Sequence, residues 1–218
     1  MSVSMELDRF AGMIAHELRN PLASATTNLA VAADLMEETD PRSAFIRRAE
    51  KEMDRIRLLL DACIELATAG RIDRRDVSLP QLLQDAAEGL VPSRNGDVEL
   101  RLDVAGTPRA RIDPSLMQRA IGNLIENAVK AFGGEPGTIG ISASRTGNEV
   151  RFTVEDSGPG IPEELRARIF DPLVTGLKGS GLGLAFVKKV VEAHGGTIEV
   201  GRGELGGARF EIRIPEEE

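Results

Sequence analysis

The sequence predicts two domains, an all-α helical hairpin that pairs with a second copy as a four-helix bundle, followed by an α/β sandwich. Three observations carry that expectation. The chain of 218 residues is long enough for two modest domains. Apolar residues recur at intervals of three and four from Phe10 to Ala67, the period of a helix face. From Val77 onward the pattern changes to short alternating runs separated by Gly and Pro, the signature of strands with turns.

The first stripe runs through Phe10, Ile14, Leu18, Leu22, Ala25, Leu29, Ala32 and Met36. Thr39-Asp40-Pro41 interrupts it, with Thr39 or Asp40 as the cap and proline opening the next helix. The second stripe follows through Phe45, Ala49, Met53, Ile56, Leu60, Cys63 and Ala67, and Ala69-Gly70-Arg71 closes it. A lone hairpin cannot bury two full-length stripes. Either a second copy covers them or the second domain does, and the length of both stripes favours a homodimer. The expected limits are residues 1–70 for the hairpin, 71–77 for a linker and 78–218 for the α/β domain.

Strands are expected at 98–104, 138–144, 149–155, 197–201 and 208–214, with helices at 80–90, 114–132 and 182–194. Alternating strands imply one wet face and one face covered by helices. Glu216, Glu217 and Glu218 read as a frayed tail.

Composition narrows the function. No run of 18 apolar residues exists and the N-terminus lacks a basic, apolar leader, so a soluble cytoplasmic chain without membrane insertion is expected. A net charge of −8, with neither Trp nor Tyr, argues against nucleic acid. Arg71, Arg74 and Arg75 read as a solvated linker, and Cys63 as a small core residue.

Within the first helix, AHELRNPLA sets His16, Glu17, Asn20 and Pro21 among apolar residues. At about 100° per residue from Phe10 the stripe centres near about 65° and His16 falls near about 240°, facing water with Asn20 and Glu17 beside it. An interior proline costs about 3 kcal/mol in a helix, and such rule-breaking tends to mark function. A neutral imidazole is a competent nucleophile near neutral pH, and Glu17 is placed to take its proton. With only two histidines in the chain, metal binding there is the poorer use.

Three further stretches carry chemistry. In IGNLIENAVKAFGG, Asn123 and Asn127 share a helix face beside Glu126 and Lys130, suiting phosphate and a Mg²⁺ ion that keeps water ligands. In VEDSGPGIP, a strand ends at Asp156, which can accept from an exocyclic amine, while Gly158 and Gly160 let a flat ligand approach. In GLKGSGLGLAFVKKVV, Gly176, Gly179, Gly181 and Gly183 precede a helix whose free N–H groups suit an anion; the spacing fits neither a Walker A loop nor a dinucleotide fingerprint.

Together these stretches resemble the catalytic core of bacterial two-component sensor histidine kinases. AHELRNPLA is similar to the H-box, NLIENAVK to the N-box, DSGPG to the first glycine box, IFDPL to the F-box and GSGLGL to the second, in the same order over residues 5–214. The resemblance implies a Bergerat-type ATPase domain behind a dimeric phosphotransfer bundle. It implies His16 as phosphoacceptor, Glu17 as base and Asn20 as a residue for dephosphorylating a response regulator receiver domain. It implies ATP and Mg²⁺ as ligands, with Asn127 and Asn123 at the metal and Lys130 near the phosphates. Asp156, Gly158 and Gly160 would hold adenine, Phe170 would begin a short lid, and Lys178, Gly179, Gly181, Leu182 and Gly183 would adjoin the triphosphate. Ala131-Phe132-Gly133 and Leu173 depart from the common pattern after the N-box and in the lid. His194, before two glycines, is expected to cap a helix without a catalytic role.

Overall fold

The computed structural model describes residues 18, 20–35, 40, 42–49, 52–53, 56, 60, 72–90, 98–172, 174 and 181–216. The chain divides into two compact units, Met1–Thr68 and Ala69–Glu218.

In the first unit, α1 is helical at 18 and through 20–34, and α2 at 43–49, 52–53, 56 and 60. Pro21 therefore has helical residues on both sides. Asp40 caps α2: its Oδ1 accepts from the Arg42 N–H at 2.8 Å and its carbonyl accepts from the Ser43 N–H at 3.0 Å. The expected stripe residues Leu22, Ala25, Leu29 and Ala32 are only half-buried, and Leu18, Phe45 and Ile56 are exposed. Among the described residues of this unit only Ser43 is buried.

The second unit packs most of the apolar faces of its described elements against one another. Its elements are β1 (Arg75–Ser78), α3 (Leu79–Ala87), β2 (Val98–Asp103), β3 (Arg109–Ile112), α4 (Pro114–Phe132), β4 (Gly137–Thr146), β5 (Glu149–Asp156), α5 (Glu163–Arg166), α6 (Gly183–Ala193), β6 (Thr197–Arg202) and β7 (Ala208–Pro215). Five strands form a sheet in the order β2-β4-β5-β7-β6, with β2 parallel to β4 and the other pairs antiparallel. Period-two alternation sends Ile139 and Ile141 of β4, Phe152 and Val154 of β5, and Phe210 and Ile212 of β7 into the core. There they join Leu82 and Leu83 of α3, Leu124 and Ile125 of α4, and Val187 and Val190 of α6. The opposite face is polar, with Arg213 paired to Glu211 at 2.7 Å and to Glu199 at 3.5 Å.

Two expectations are corrected. Arg75, Asp76 and Val77, read as linker, belong to β1, which pairs antiparallel with β3 from Arg75↔Ile112 to Ser78↔Arg109. The pairing satisfies backbone groups that a linker would leave to water. Glu216 is not frayed: its N–H donates to the Asn148 carbonyl at 2.7 Å, and its Oε1 accepts from the Arg111 N–H at 2.9 Å. Its Oε2 lies 2.6 Å from an Arg145 guanidinium nitrogen, so one carboxylate ties β3 to β4.

Candidate active site

Helix α4 is the spine of the site. Asp113 fixes its start, accepting the Leu116 N–H on Oδ1 at 3.0 Å, and proline occupies the first turn. Asn123, Asn127 and Lys130 then lie at intervals of four and three on one face. The Asn123 Nδ2 donates to the Arg119 carbonyl at 3.0 Å, which holds the amide in place. Its Oδ1 abuts the first residue of α6, where a Cβ on Gly183 would sit 2.8 Å away. Helix α6 can start against Asn123 only because residue 183 has no side chain. Leu182 is buried at the cap, where no side-chain cap hydrogen bond forms among the described residues, and a helix N-terminus of this kind suits an anion. Lys130 is exposed, its Nζ 2.9 Å from Glu126 Oε2 one turn back.

The other end of the site is Asp156, the last residue of β5, only 6% exposed. Its Oδ1 accepts two backbone N–H groups, from Gly158 at 2.8 Å and Ala208 at 3.2 Å. Burial pushes its carboxyl above the ordinary Asp range, and the two N–H donors pull it part of the way back. With Oδ1 engaged, Oδ2 is the oxygen left to accept from a ligand amine. Gly158 lies against the end of α4, where a Cβ would be 3.4 Å from Ala131 Cβ, and Gly160, at φ +78, passes the Gly207 backbone.

Gly207 is the functional position that the sequence reading missed. Any Cβ there would strike the Asp156 Oδ1, with the Asp156 carbonyl 2.5 Å and the Gly158 nitrogen 2.7 Å away. Its own N–H donates to the Asp156 carbonyl at 2.9 Å. The Gly206-Gly207 doublet immediately before a strand was the signal that could have found it.

The remaining expected residues fall as follows. Gly181 has φ +71 and precedes the buried Leu182. Phe170 packs edge-on against Phe210 of β7, centroids 6.4 Å apart, anchoring the start of the expected lid to the sheet. Asn20 is exposed on α1, as the helical phase requires. His16, Glu17, Lys178 and Gly179 lie outside the described residues. His194 is fully buried and is the C-cap of α6, as expected, with Gly196 N–H donating to Val191 and Gly195 N–H to Glu192 behind it, both at 2.9 Å. The imidazole serves elsewhere, its Nε2 accepting the Asp113 N–H at 3.0 Å. Among the described residues no group of three or more His, Cys, Asp or Glu is placed to hold a metal, and no helix is long and apolar enough to cross a membrane.

One helix thus links an amide pair and the N-terminus of α6 to a buried carboxylate flanked by glycines. Residues 112–218 match the family described as histidine kinase-, DNA gyrase B-, and HSP90-like ATPases. Residues 6–71 match the His kinase A phospho-acceptor domain. The chain belongs to the histidine kinase family. As a histidine kinase core it combines the phospho-acceptor region with the mixed α/β ATPase domain. It is 33% identical over 212 residues to the sensor histidine kinase ZraS of Escherichia coli O157:H7, an alignment covering 96% of this chain and 46% of that protein. The chain therefore spans about half the length of the curated relatives it matches. Among solved structures it resembles full-length ShkA in complex with AMPPNP, at TM-score 0.76 and 29% identity over 96% of this chain and 46% of that one. It also resembles the histidine kinase ThkA in complex with the response regulator protein TrrA, at TM-score 0.68 and 25% identity over 97% of this chain and 62% of that one.

Proposed function

We propose that this kinase core phosphorylates His16 from ATP and passes the phosphoryl group to an aspartate of a response regulator receiver domain. The observation that carries the reading is the meeting of Asn123 with the N-terminus of α6 on the helix that also walls Asp156. Asp156 Oδ2 would accept from the adenine amine beside Gly158 and Gly160, and the free N–H groups at Gly183, with Gly179, Gly181 and Lys178, would meet the phosphates. Two amides and no carboxylate cluster suit Mg²⁺ held largely by phosphate and water, with Asn127 and Asn123 as its protein ligands. Bound there, the ion would supply charge neutralisation at the triphosphate.

The chain's own residues do the rest. The neutral His16 imidazole attacks the γ-phosphorus in line, an N–P bond forms as the β,γ-bridging P–O bond breaks, and ADP leaves. Glu17 takes the proton from the other ring nitrogen. Most of the acceleration in such a transfer comes from positioning and charge stabilisation, so Asn123, Gly183 and Asp156 act by holding the nucleotide. Lys130 exchanges Glu126 for phosphate when nucleotide enters. The half-covered stripes of α1 and α2 support a homodimeric four-helix bundle, and the described complex of ThkA with a response regulator supports the same kind of partner here. Domain limits of 1–70 for the phosphotransfer region and 78–218 for the ATPase region, with 71–77 between, fit this division of labour once β1 is counted with the ATPase unit.

Asn20 supports a second activity. Exposed one turn beyond His16, its amide would orient water against the regulator's phospho-aspartate. Incubation with γ-labelled ATP should yield acid-labile, base-stable label that is absent from His16→Ala, whereas acid-stable label would reject phosphohistidine. Asn20→Ala should lose dephosphorylation of the regulator and keep labelling; equal loss of both would remove the separate role.

A further inference from the structure

Outside the nucleotide site, the described residues hold one fully buried imidazole with both ring nitrogens engaged. His194 Nε2 faces the Asp113 N–H at 3.0 Å, and because that group can only donate, Nε2 carries no proton. The proton sits on Nδ1, 2.7 Å from the Val190 carbonyl one turn back on α6. Asp113 is itself a junction: Oδ1 caps α4 through Leu116, and Oδ2 accepts the Asp73 N–H at 2.9 Å. The Arg74 guanidinium donates to the His194 carbonyl at 3.0 Å. The residues just before β1 are therefore pinned twice, once to the start of α4 and once to the end of α6, with the imidazole joining the two points.

We propose that His194 is a proton-operated latch, neutral when residues Asp73 and Arg74 are held on the ends of α4 and α6, and releasing that segment when Nε2 is protonated. Protonation turns an acceptor into a donor, so two N–H groups face each other across 3.0 Å and one must move. Among the described residues the Asp113 carboxylate is the anion that acts on the ring, and turning towards it would strip the cap from Leu116 and the acceptor from Asp73. Arg74, on the segment side, repels the imidazolium and acts in the same direction. Among the described residues of the neighbouring elements, Arg75 pairs with Asp73 at 2.6 Å, Lys188 with Glu192 on α6 at 3.9 Å, and Arg213 of β7 with Glu211 and Glu199, while Lys189 of α6 also carries charge. Burial and Arg74 hold the ring neutral below the ordinary imidazole range, partly offset by the Val190 hydrogen bond and Asp113.

The consequence for activity rests on the nucleotide reading above. The latch grips the far ends of the two helices whose other portions carry Asn123, Asn127 and Gly183, so its release loosens the nucleotide site in mild acid.

Hydrogen exchange of the full chain without nucleotide tests the latch itself. Corrected for the pH dependence of chemical exchange, protection at the Asp73 and Asp113 amides should fall about tenfold between about pH 7.5 and about pH 5, a span that extends well below the ordinary imidazole value because the buried ring is shifted downwards. The Phe152 and Val154 amides in the sheet centre should keep theirs. In His194→Gln, which retains a donor and an acceptor without a titrating proton, the pH effect should vanish. Should that variant not fold, Arg74→Ala should raise Asp73 exchange at neutral pH and leave Asp113 protected. Protection constant with pH, or a fall that persists in His194→Gln, would overturn the latch. ATP affinity measured alongside should weaken with the amides in the unaltered chain and less in His194→Gln. Latch amides that respond without that difference would overturn the coupling, while no ATP binding at any pH would instead overturn the nucleotide reading.

Discussion

Phe152 and Phe45 are both aromatic residues in regular apolar patterns, yet Phe152 is 1% exposed and Phe45 is 69% exposed. The contrast extends to their whole units. In the ATPase unit α3, α4 and α6 cover the inner face of the sheet, so the apolar faces of these helices meet the strands of the same chain. In the helical unit the described stripe residues are at most half-covered. A periodic pattern therefore tells which face wants burial, and only the presence of a complementary surface tells whether one chain can provide it.

The largest effect that sharpens this contrast is a core truncation. Phe152→Ala should cost the ATPase unit about 3–5 kcal/mol in denaturant unfolding, whereas Phe45→Ala should leave that transition within about 0.5 kcal/mol. An equal cost at both would break the comparison. If the helical unit pairs with a second copy as proposed, its unfolding should shift to higher denaturant as chain concentration rises, with no shift for the ATPase transition.

Gly207→Ala should come next. The added methyl must displace the Asp156 carboxylate or the chain at Gly158, and the loss of even one oriented hydrogen bond to a charged group predicts about tenfold weaker ATP binding with the fold retained. Unchanged affinity would mean that the close approach at Gly207 does not position Asp156.

The pH effects are smaller and run in opposite directions, although burial is the first cause of both. Asp156 titrates above the ordinary carboxylate range, so its acceptor form, and ATP affinity with it, should fade on acidification earlier than an exposed Asp would allow. The same shift means that ionised Asp156 costs stability, which returns as pH falls through its folded value. His194 is shifted the other way, below 6.5. The stability it contributes is complete above 6.5 and is lost as pH falls towards its lower folded value, which pH-dependent unfolding of the His194→Gln variant against the unaltered chain would read out.

Much of this was legible before any coordinates. Helix α4 runs from Pro114 to Phe132 as expected because Asp113-Pro114 is a start signal and Gly133 a stop, at φ +64. The strands from β4 onward alternate cleanly enough to show both faces. What stayed hidden is non-local. β1 and β3 are four residues each, charged, and defined only by pairing with one another across more than thirty positions. The second donor to Asp156 comes from Ala208, 52 residues away, and only the register of β5 against β7 brings it there. His194 is the C-cap of α6 as its place before two glycines suggests, but its imidazole contact with Asp113 spans 81 residues and has no local signal. Glu216 looked like a solvated tail because nothing in its neighbourhood announces Arg111 and Arg145 as partners.

The proposed function requires that the ATPase unit of a single chain already contain an organised acceptor for adenine at Asp156, whatever the helical unit does. Calorimetric titration of ATP·Mg²⁺ into the unaltered chain and into Asp156→Asn tests it most directly. Binding by the unaltered chain should be independent of chain concentration, and Asp156→Asn should weaken it about 10–100-fold, the scale for losing a hydrogen bond to a charged group, with unfolding otherwise unchanged. Equal affinity in the two chains, or binding that appears only as the chains associate, would contradict the account.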